Sequence, residues 1–519
     1  MRRRILALAS ALAIVVLAAS GAAAVTTPPV TVSGPTPFTP NCNGGQPTGG
    51  TLYPNSEVEP WVSANPKAAA NMVAVWQQDR WSDGGAQGNL TGVTFDAGRS
   101  WQRVKPPPFS RCAGGNAQNG GDYERATDPW VSFSPDGTAY QMALSIDVST
   151  NPDPVNLLDV RDAMLVSKSE DGGKTWGKIT TLIADDSPLR LNDKNSLTAD
   201  PTNSRYAYAV WDRLELTEDL QNFRGPTLFT RTTDGGQTWE RPRVIFDPGL
   251  NNQTIANQIA VLPNGRLVNL FDWIIQGQLN VGVMFSDDKG RTWTRPKLVN
   301  ALGTVGVTDP FDDAPVRTGD LVPDIAVDPR KGTRTIYLVW QDARFTGGLR
   351  DQIALVRSTD GGRTWTTPKR VSSNLETQAF TASVEVNDRG HVGVTYYDFT
   401  RDDPTARPLL TDEWFTASTD GGSHFSGRER QTVHSFNMRL APFAGGYFVG
   451  DYEGLDGVGR RFHPVFGVTV SRSNPVDIVS TIVRPPFGSG VVATQTDATV
   501  APRTGAVRSS QRLGFVTSQ

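Results

Sequence analysis

From about residue 56 to residue 484 the chain is made of short β-rich runs in pairs, each pair joined by a turn of Pro, Asn, Asp or Gly. Pro60-Trp61-Val62-Ser63 is followed by Met72-Val73-Ala74-Val75-Trp76, and Trp130-Val131-Ser132-Phe133 by Ala139-Tyr140-Gln141-Met142. The pattern returns with runs beginning at Ser196, Ile259, Ile325 and Ser383, partnered by runs beginning at Ala207, Leu267, Ile336 and Val392. β-Branched and aromatic residues in runs this short, bounded by turn formers, specify strands. No helical periodicity competes with them after the first 24 residues, so the expected fold class is all-β.

Each pair is followed by a stricter repeat. It reads S-T-D-G-G-R-T-W at Ser358 to Trp365, S-E-D-G-G-K-T-W from Ser169, T-T-D-G-G-Q-T-W from Thr232 and S-D-D-K-G-R-T-W from Ser286. Looser copies run from Thr94 to Trp101 and from Ser418 to Phe425. In a tight hairpin the Asp carboxylate accepts from turn amides, Gly takes a positive φ, and the aromatic residue packs beneath. The aspartates fall at Asp96, Asp171, Asp234, Asp288, Asp360 and Asp420, at spacings of 75, 63, 54, 72 and 60 residues. That spacing suits a four-stranded blade with long loops.

The octet is the Asp box, and the chain resembles the sialidase-like, Asp-box β-propeller proteins over roughly residues 56–484. The resemblance implies a single-domain propeller whose boxes are structural hairpins lying away from the active site. A boxless further copy, Tyr447 to Tyr452 with Pro464 to Val468, leads us to expect seven blades. The alternative is six, with that segment and the N-terminal arm completing the ring.

The flanks set the address. Met1-Arg2-Arg3-Arg4, an apolar run from Ile5 to Ala19, and Ala22-Ala23-Ala24 form a secretory signal with cleavage expected near Ala24, which implies an extracellular protein. Residues 25–55, rich in Pro, Thr, Gly and Asn, read as an extended arm, and residues 485–519 as a tail. Without residues 1–24 the balance is 47 basic to 53 acidic residues, a net charge of −6, which excludes a nucleic-acid binder by charge. No later stretch is apolar enough to span a bilayer, and the expected state is a monomer. Cys42 and Cys112 are the only cysteines and should pair outside the cell, tying the arm to the loop after the first box. Two cysteines and four scattered histidines do not make a zinc site.

In a propeller the start of strand one and the end of strand two open on one face, and the turn between strands three and four lies on the other. Chemistry therefore belongs away from the boxes. Strand two ends in a repeated acid, often with a base, as in Asp79-Arg80, Asp212-Arg213, Asp342 with Arg344, and Asp398 with Arg401. Repetition in every blade favours ion pairs between neighbours; convergence on one anionic ligand is the sharper reading, since guanidinium grips carboxylate with two bonds. Sialidases use three Arg in that way, which makes Arg80, Arg213 and Arg344 the substrate-binding candidates. The family's R-I-P or R-L-P motif is absent; between residues 25 and 93 the only Arg is Arg80, in D-R-W.

Strand-one starts supply the acids Glu57, Glu59, Asp128, Asp193, Asp320, Asp324, Asp451 and Glu453. A glycosidase needs a proton donor and a second carboxylate, or in sialidases a Tyr backed by Glu. Asp128, fixed beside Pro129, is the candidate donor. Gly450 to Leu455, G-D-Y-E-G-L, is the least repeat-like copy, so Asp451, Tyr452 and Glu453 complete the catalytic candidates. Strand alternation would put Asp451 and Glu453 on one side and Tyr452 on the other. His463 could add a proton carrier nearby.

The leading function is a secreted, sialidase-like exo-glycosidase acting on glycans by carboxylate and Tyr chemistry, with no required cofactor. Calcium among the loop carboxylates is left open. The second reading is a non-catalytic extracellular propeller that binds glycan or protein, and the third is a polysaccharide lyase.

Overall fold

The computed structural model describes residues 25–44, 50–148 and 160–485; the stretch read as a leader at 1–24 and all of the stretch read as a tail beyond Pro485 lie outside them. Among these residues helix is confined to two 3-10 turns, Ala343–Thr346 and Met438–Leu440. Everything else regular is strand, mostly in antiparallel sheets of consecutive segments, such as Asn252–Val261, Leu267–Ile275, Asn280–Ser286 and Lys297–Ala301.

The first strands of the sheets are Leu52–Ala64, Arg125–Phe133, Arg190–Ala199, Asn252–Val261, Asp324–Val327, Ala379–Val386 and Gly454–Val458. Each lies against the next, and the last returns to the first. A closed succession of sheets around one axis is a β-propeller, which leaves only short edges exposed. Leu52–Ala64 begins inside the stretch read as arm. The arm itself is stitched into the last sheet, where Val30–Thr31 pairs with Val476–Ser480 as its outer strand. A disulfide joins Cys42 to Cys112.

One strand assignment needs correction. Tyr447–Phe448 does not begin the last sheet but pairs in parallel with Pro315–Arg317, in a small separate sheet completed by Val307–Thr308. The last sheet starts at Gly454, after a bend in which Gly450 takes φ 152°.

The six repeated turns join third to fourth strands. In the clearest, Asp360 Oδ1 accepts from the amides of Arg363 and Thr364 at 2.9 Å each, and its Oδ2 accepts from Thr364 Oγ1 at 2.6 Å. Ser358 Oγ donates to Asp360 and accepts from the Gly362 amide, both at 2.8 Å. Glycine is obligatory at 362: φ is 86°, and a Cβ there would come within 2.2 Å of Phe285 in the preceding sheet. The turns thus brace neighbouring sheets. Asp360→Ala should cost about 1–3 kcal/mol, measured by thermal or urea unfolding, with activity per folded molecule retained.

Candidate functional site

Bulges place the functional side chains. The register of the inner strands breaks between Val58 and Trp61, Thr127 and Trp130, and Asp193 and Ser196. The same break recurs between Ile255 and Gln258 and between Phe380 and Ser383. Each break holds one residue in the left-handed region: Glu59 (φ 52°), Asp128 (48°), Lys194 (43°), Ala256 (58°) and Thr381 (47°). Non-glycine residues adopt that backbone at a cost, and a bulge re-aims its side chain out of the pleat. Three successive blades spend it on charged residues, and these meet.

Lys194 is the hub. Its Nζ lies 2.7 Å from Asp451 Oδ2, 3.4 Å from Glu59 Oε1 and 3.9 Å from Asp128 Oδ2. Arg317, from the small sheet, grips Asp451 through both oxygens, Nε to Oδ1 at 3.0 Å and Nη2 to Oδ2 at 2.5 Å. Arg80 donates to Gln77 at 2.8 Å, and Gln77 in turn donates to Glu59. The Phe448 ring packs against both guanidinium groups, 5.0 Å from Arg80 and 4.5 Å from Arg317. Beside the charges stands an aromatic wall: Trp61 and Trp130 stack at 3.7 Å, and Tyr452 sits 5.5 Å from Trp130 and 5.5 Å from Lys194 Nζ.

Glu59, Asp128, Lys194, Asp451, Arg80 and Tyr452 are all buried. Burial pushes Glu59 up to about 7 against the pull of Lys194, and it also raises Asp128. Burial disfavours the Asp451 carboxylate too, but Arg317 and then Lys194 hold it well below the ordinary range. Lys194 resists its own burial because Asp451, Glu59 and Asp128 surround it, and it stays charged. Burial, then Arg317, lowers Arg80 to about 10. Burial raises the Tyr452 phenol well above 10. Three polar atoms here have no hydrogen-bond partner, Arg80 Nε, Asp128 Oδ2 and Tyr452 Oη.

The sequence candidates divide accordingly. Asp128, Asp451, Tyr452 and Arg80 come together. Arg213 does not join them: it pairs with Asp185 and donates to Asn192 at 3.1 Å. Arg344 is likewise engaged elsewhere, bridging its own blade at Asp342, 2.6 Å away, to the preceding one at Asn300, 2.8 Å away. His463 is buried under the first repeated turn, its Nδ1 3.5 Å from where a Cβ on Gly98 would stand, and burial pushes its pKa down to about 4. Glu453 turns away toward Glu413 and Tyr397, both buried. Alternation failed there because residues 449–453 bend rather than form a strand, so Asp451 and Tyr452 share a side. Glu59 was legible as a strand-one acid. Lys194 and Arg317 were missed, although Lys194 occupies the bulge position of Glu59 and Asp128 in the repeat. Among the described residues no group of three or more His, Cys, Asp or Glu side chains is placed to hold a metal ion.

Comparison with known proteins gives partial likenesses, and no family model matches. A xyloglucanase from Paenibacillus sp is 28% identical over 203 residues, covering 37% of this chain and 18% of the relative. The chain thus spans about a fifth of the length of the curated relatives it matches, 18% and 19%. Among solved structures, a protein of unknown function from Dyadobacter fermentans aligns with TM-score 0.46 and 17% identity, over 69% of this chain and 94% of that one. A Hadza microbial sialidase aligns with TM-score 0.44 and 16% identity, over 80% and 74%.

Proposed function

We propose that this protein is a glycoside hydrolase whose site lies where its first, second, third and last blades meet, and we read the seven inner strands as seven blades. The observation that carries the proposal is a set of three buried groups at one place: Asp128 Oδ2 and Tyr452 Oη, which lack hydrogen-bond partners, and Glu59, whose pKa burial raises to about 7. Glycoside hydrolysis needs a carboxyl with a raised pKa to protonate the leaving oxygen and a second group to attack or activate water. Glu59 and Asp128 lie 3.4 and 3.9 Å from the same nitrogen, so those two oxygens are at most about 7 Å apart, a bound that admits the ~5–5.5 Å separation of retaining glycosidases. The stacked Trp61 and Trp130 offer an apolar face to a sugar ring. The stretch of likeness to a xyloglucanase supports a glycan substrate, and the leader supports action outside the cell.

A sialidase-like, exo-acting specificity is the finer form of this reading. Asp451 already takes both Arg317 and Lys194, so an acidic sugar would have to displace it, whereas a neutral one would not. The test is a panel of sialosides, uronides and neutral glycosides including xyloglucan fragments. Asp128→Asn and Tyr452→Phe should each lower turnover at least about a hundredfold without shifting the melting temperature, the scale of a positioned acid or nucleophile. Glu453→Gln should leave turnover intact. Wild-type rates in both site variants would move the site elsewhere.

One observation favours a second reading, a non-catalytic glycan-binding propeller. The cluster sets the three acids Glu59, Asp128 and Asp451 against the three bases Lys194, Arg317 and Arg80 and is buried, as a knot that only closes the ring would be. A parent protein that hydrolyses nothing on the panel but binds a glycan would decide for it.

A further inference from the structure

We propose that a groove on the outer rim, between the first two blades and apart from the central cluster, binds an acidic polysaccharide chain. The groove has a volume of about 750 Å³, a size that holds an oligosaccharide-sized ligand (~300–1,000 Å³). Its charged lining residues are Lys105, Lys174 and Lys178, with no carboxylate among them. The acid of the adjoining turn, Asp171, is committed elsewhere: its oxygens accept from Ser169 Oγ at 2.8 Å, the Thr175 amide at 2.9 Å and Thr175 Oγ1 at 2.7 Å. The whole chain carries a net charge of −3, so three lysines around one hollow are a local reversal of sign.

The groove is also preformed. One wall is the loop through Cys112, which the disulfide ties to the arm and which Arg111 and Asp122 close with an ion pair at 2.7 Å. The loop crosses itself so tightly that a Cβ on Gly121 would lie 1.8 Å from the Pro108 carbonyl oxygen. Asn119 Oδ1 fastens the tip by accepting from the Asn116 and Gly121 amides at 2.9 and 3.1 Å. A wall fixed before binding costs little ordering entropy when a ligand arrives.

The occupant follows from the chemistry. Trp176, partly exposed, and Pro106 give flat apolar surface for the C–H faces of pyranose rings. The lysines around them suit carboxylates carried one per sugar unit, as point charges without strict geometry. A duplex nucleic acid presents denser charge to a larger area than three lysines around one hollow can match. The groove would hold a polymer to the protein while leaving the central cluster free.

The test is affinity electrophoresis and calorimetry of the full chain with polygalacturonate at low salt, with fully methyl-esterified pectin and duplex DNA as controls. The expected result is salt-sensitive binding of polygalacturonate alone, weakened at least about tenfold by Lys105→Glu with Lys178→Glu, the scale of two exposed ion pairs. Those two substitutions are on the surface and should leave the melting temperature and any small-glycoside activity unchanged. Trp176→Ala should weaken binding as well, read alongside its melting temperature because Trp176 also packs under its blade. No binding, equal binding by the double variant, or equal binding of esterified pectin or DNA would each overturn the proposal.

Discussion

Lys194→Met should cost about 3–5 kcal/mol of stability at pH 7, because it leaves buried carboxylates without the cation they share. The substitution keeps the length and apolar stem of the side chain, so the loss reports charge rather than packing. Asp451 retains Arg317, but Glu59 and Asp128 lose the group that favours their ionised forms. Both carboxyls already sit above their ordinary range, and without Lys194 they rise further and take up protons. The penalty should therefore shrink as pH falls toward 5 and grow as it rises toward 8. Urea unfolding of parent and variant across that range measures it. A variant as stable as the parent at every pH would mean that Lys194 is not the electrostatic hub.

Stability itself should fall as pH rises, by an amount on the order of 3–5 kcal/mol between pH 5 and pH 8 from one buried pair alone. Glu453 and Glu413 face each other in the interior; burial pushes Glu453 up to about 8, and burial and then Glu453 raise Glu413 well above its ordinary value. A raised carboxyl keeps its proton in the folded chain where the unfolded chain has released it. Its stabilising contribution is complete below about pH 4.5 and is lost as pH climbs through the folded value. Glu57, raised to about 9 by burial, and Asp162 and Asp351, both raised to about 7 by burial, add to the same slope. The opposite sign belongs to the repeated turns: Asp234, held at about 2 by the Thr238 hydroxyl and amide, loses its contribution only in strong acid. Maximum stability in mild acid is expected, and Glu413→Gln should flatten the slope above pH 6. A profile flat from pH 5 to 8 would sink the assignment.

The fold was legible because six octets repeat a turn whose every position has a local physical job, and local jobs can be read from sequence. The cysteine pair was legible for a similar reason, since two cysteines have one partner each. The site was legible in part. Tyr452 stood out against the repeat, Asp128 was marked by the proline that follows it, and Arg80 was alone in its stretch. Lys194 was hidden because a charged residue in an inner strand reads as solvent-facing until the bulge is known, and the bulge shows only in the register. Arg317 comes from a segment between two blades that follows no repeat, so only the folded chain brings it to Asp451. Glu453 was misplaced because strand alternation was carried through the bend at Gly450.

The arm has a consequence for biosynthesis. Ser33 Oγ accepts from the Ile478 amide, a contact spanning 445 residues, and Val30–Thr31 completes a sheet whose other strands are made long after it. Until those later strands are made, Val30–Thr31 has no partner and the growing stack of blades keeps an open edge. Contacts so distant in sequence form slowly, and unpaired edges recruit other chains. Closure of the ring therefore has to wait for the last blade, and until then the open edge is a surface on which other copies could pair.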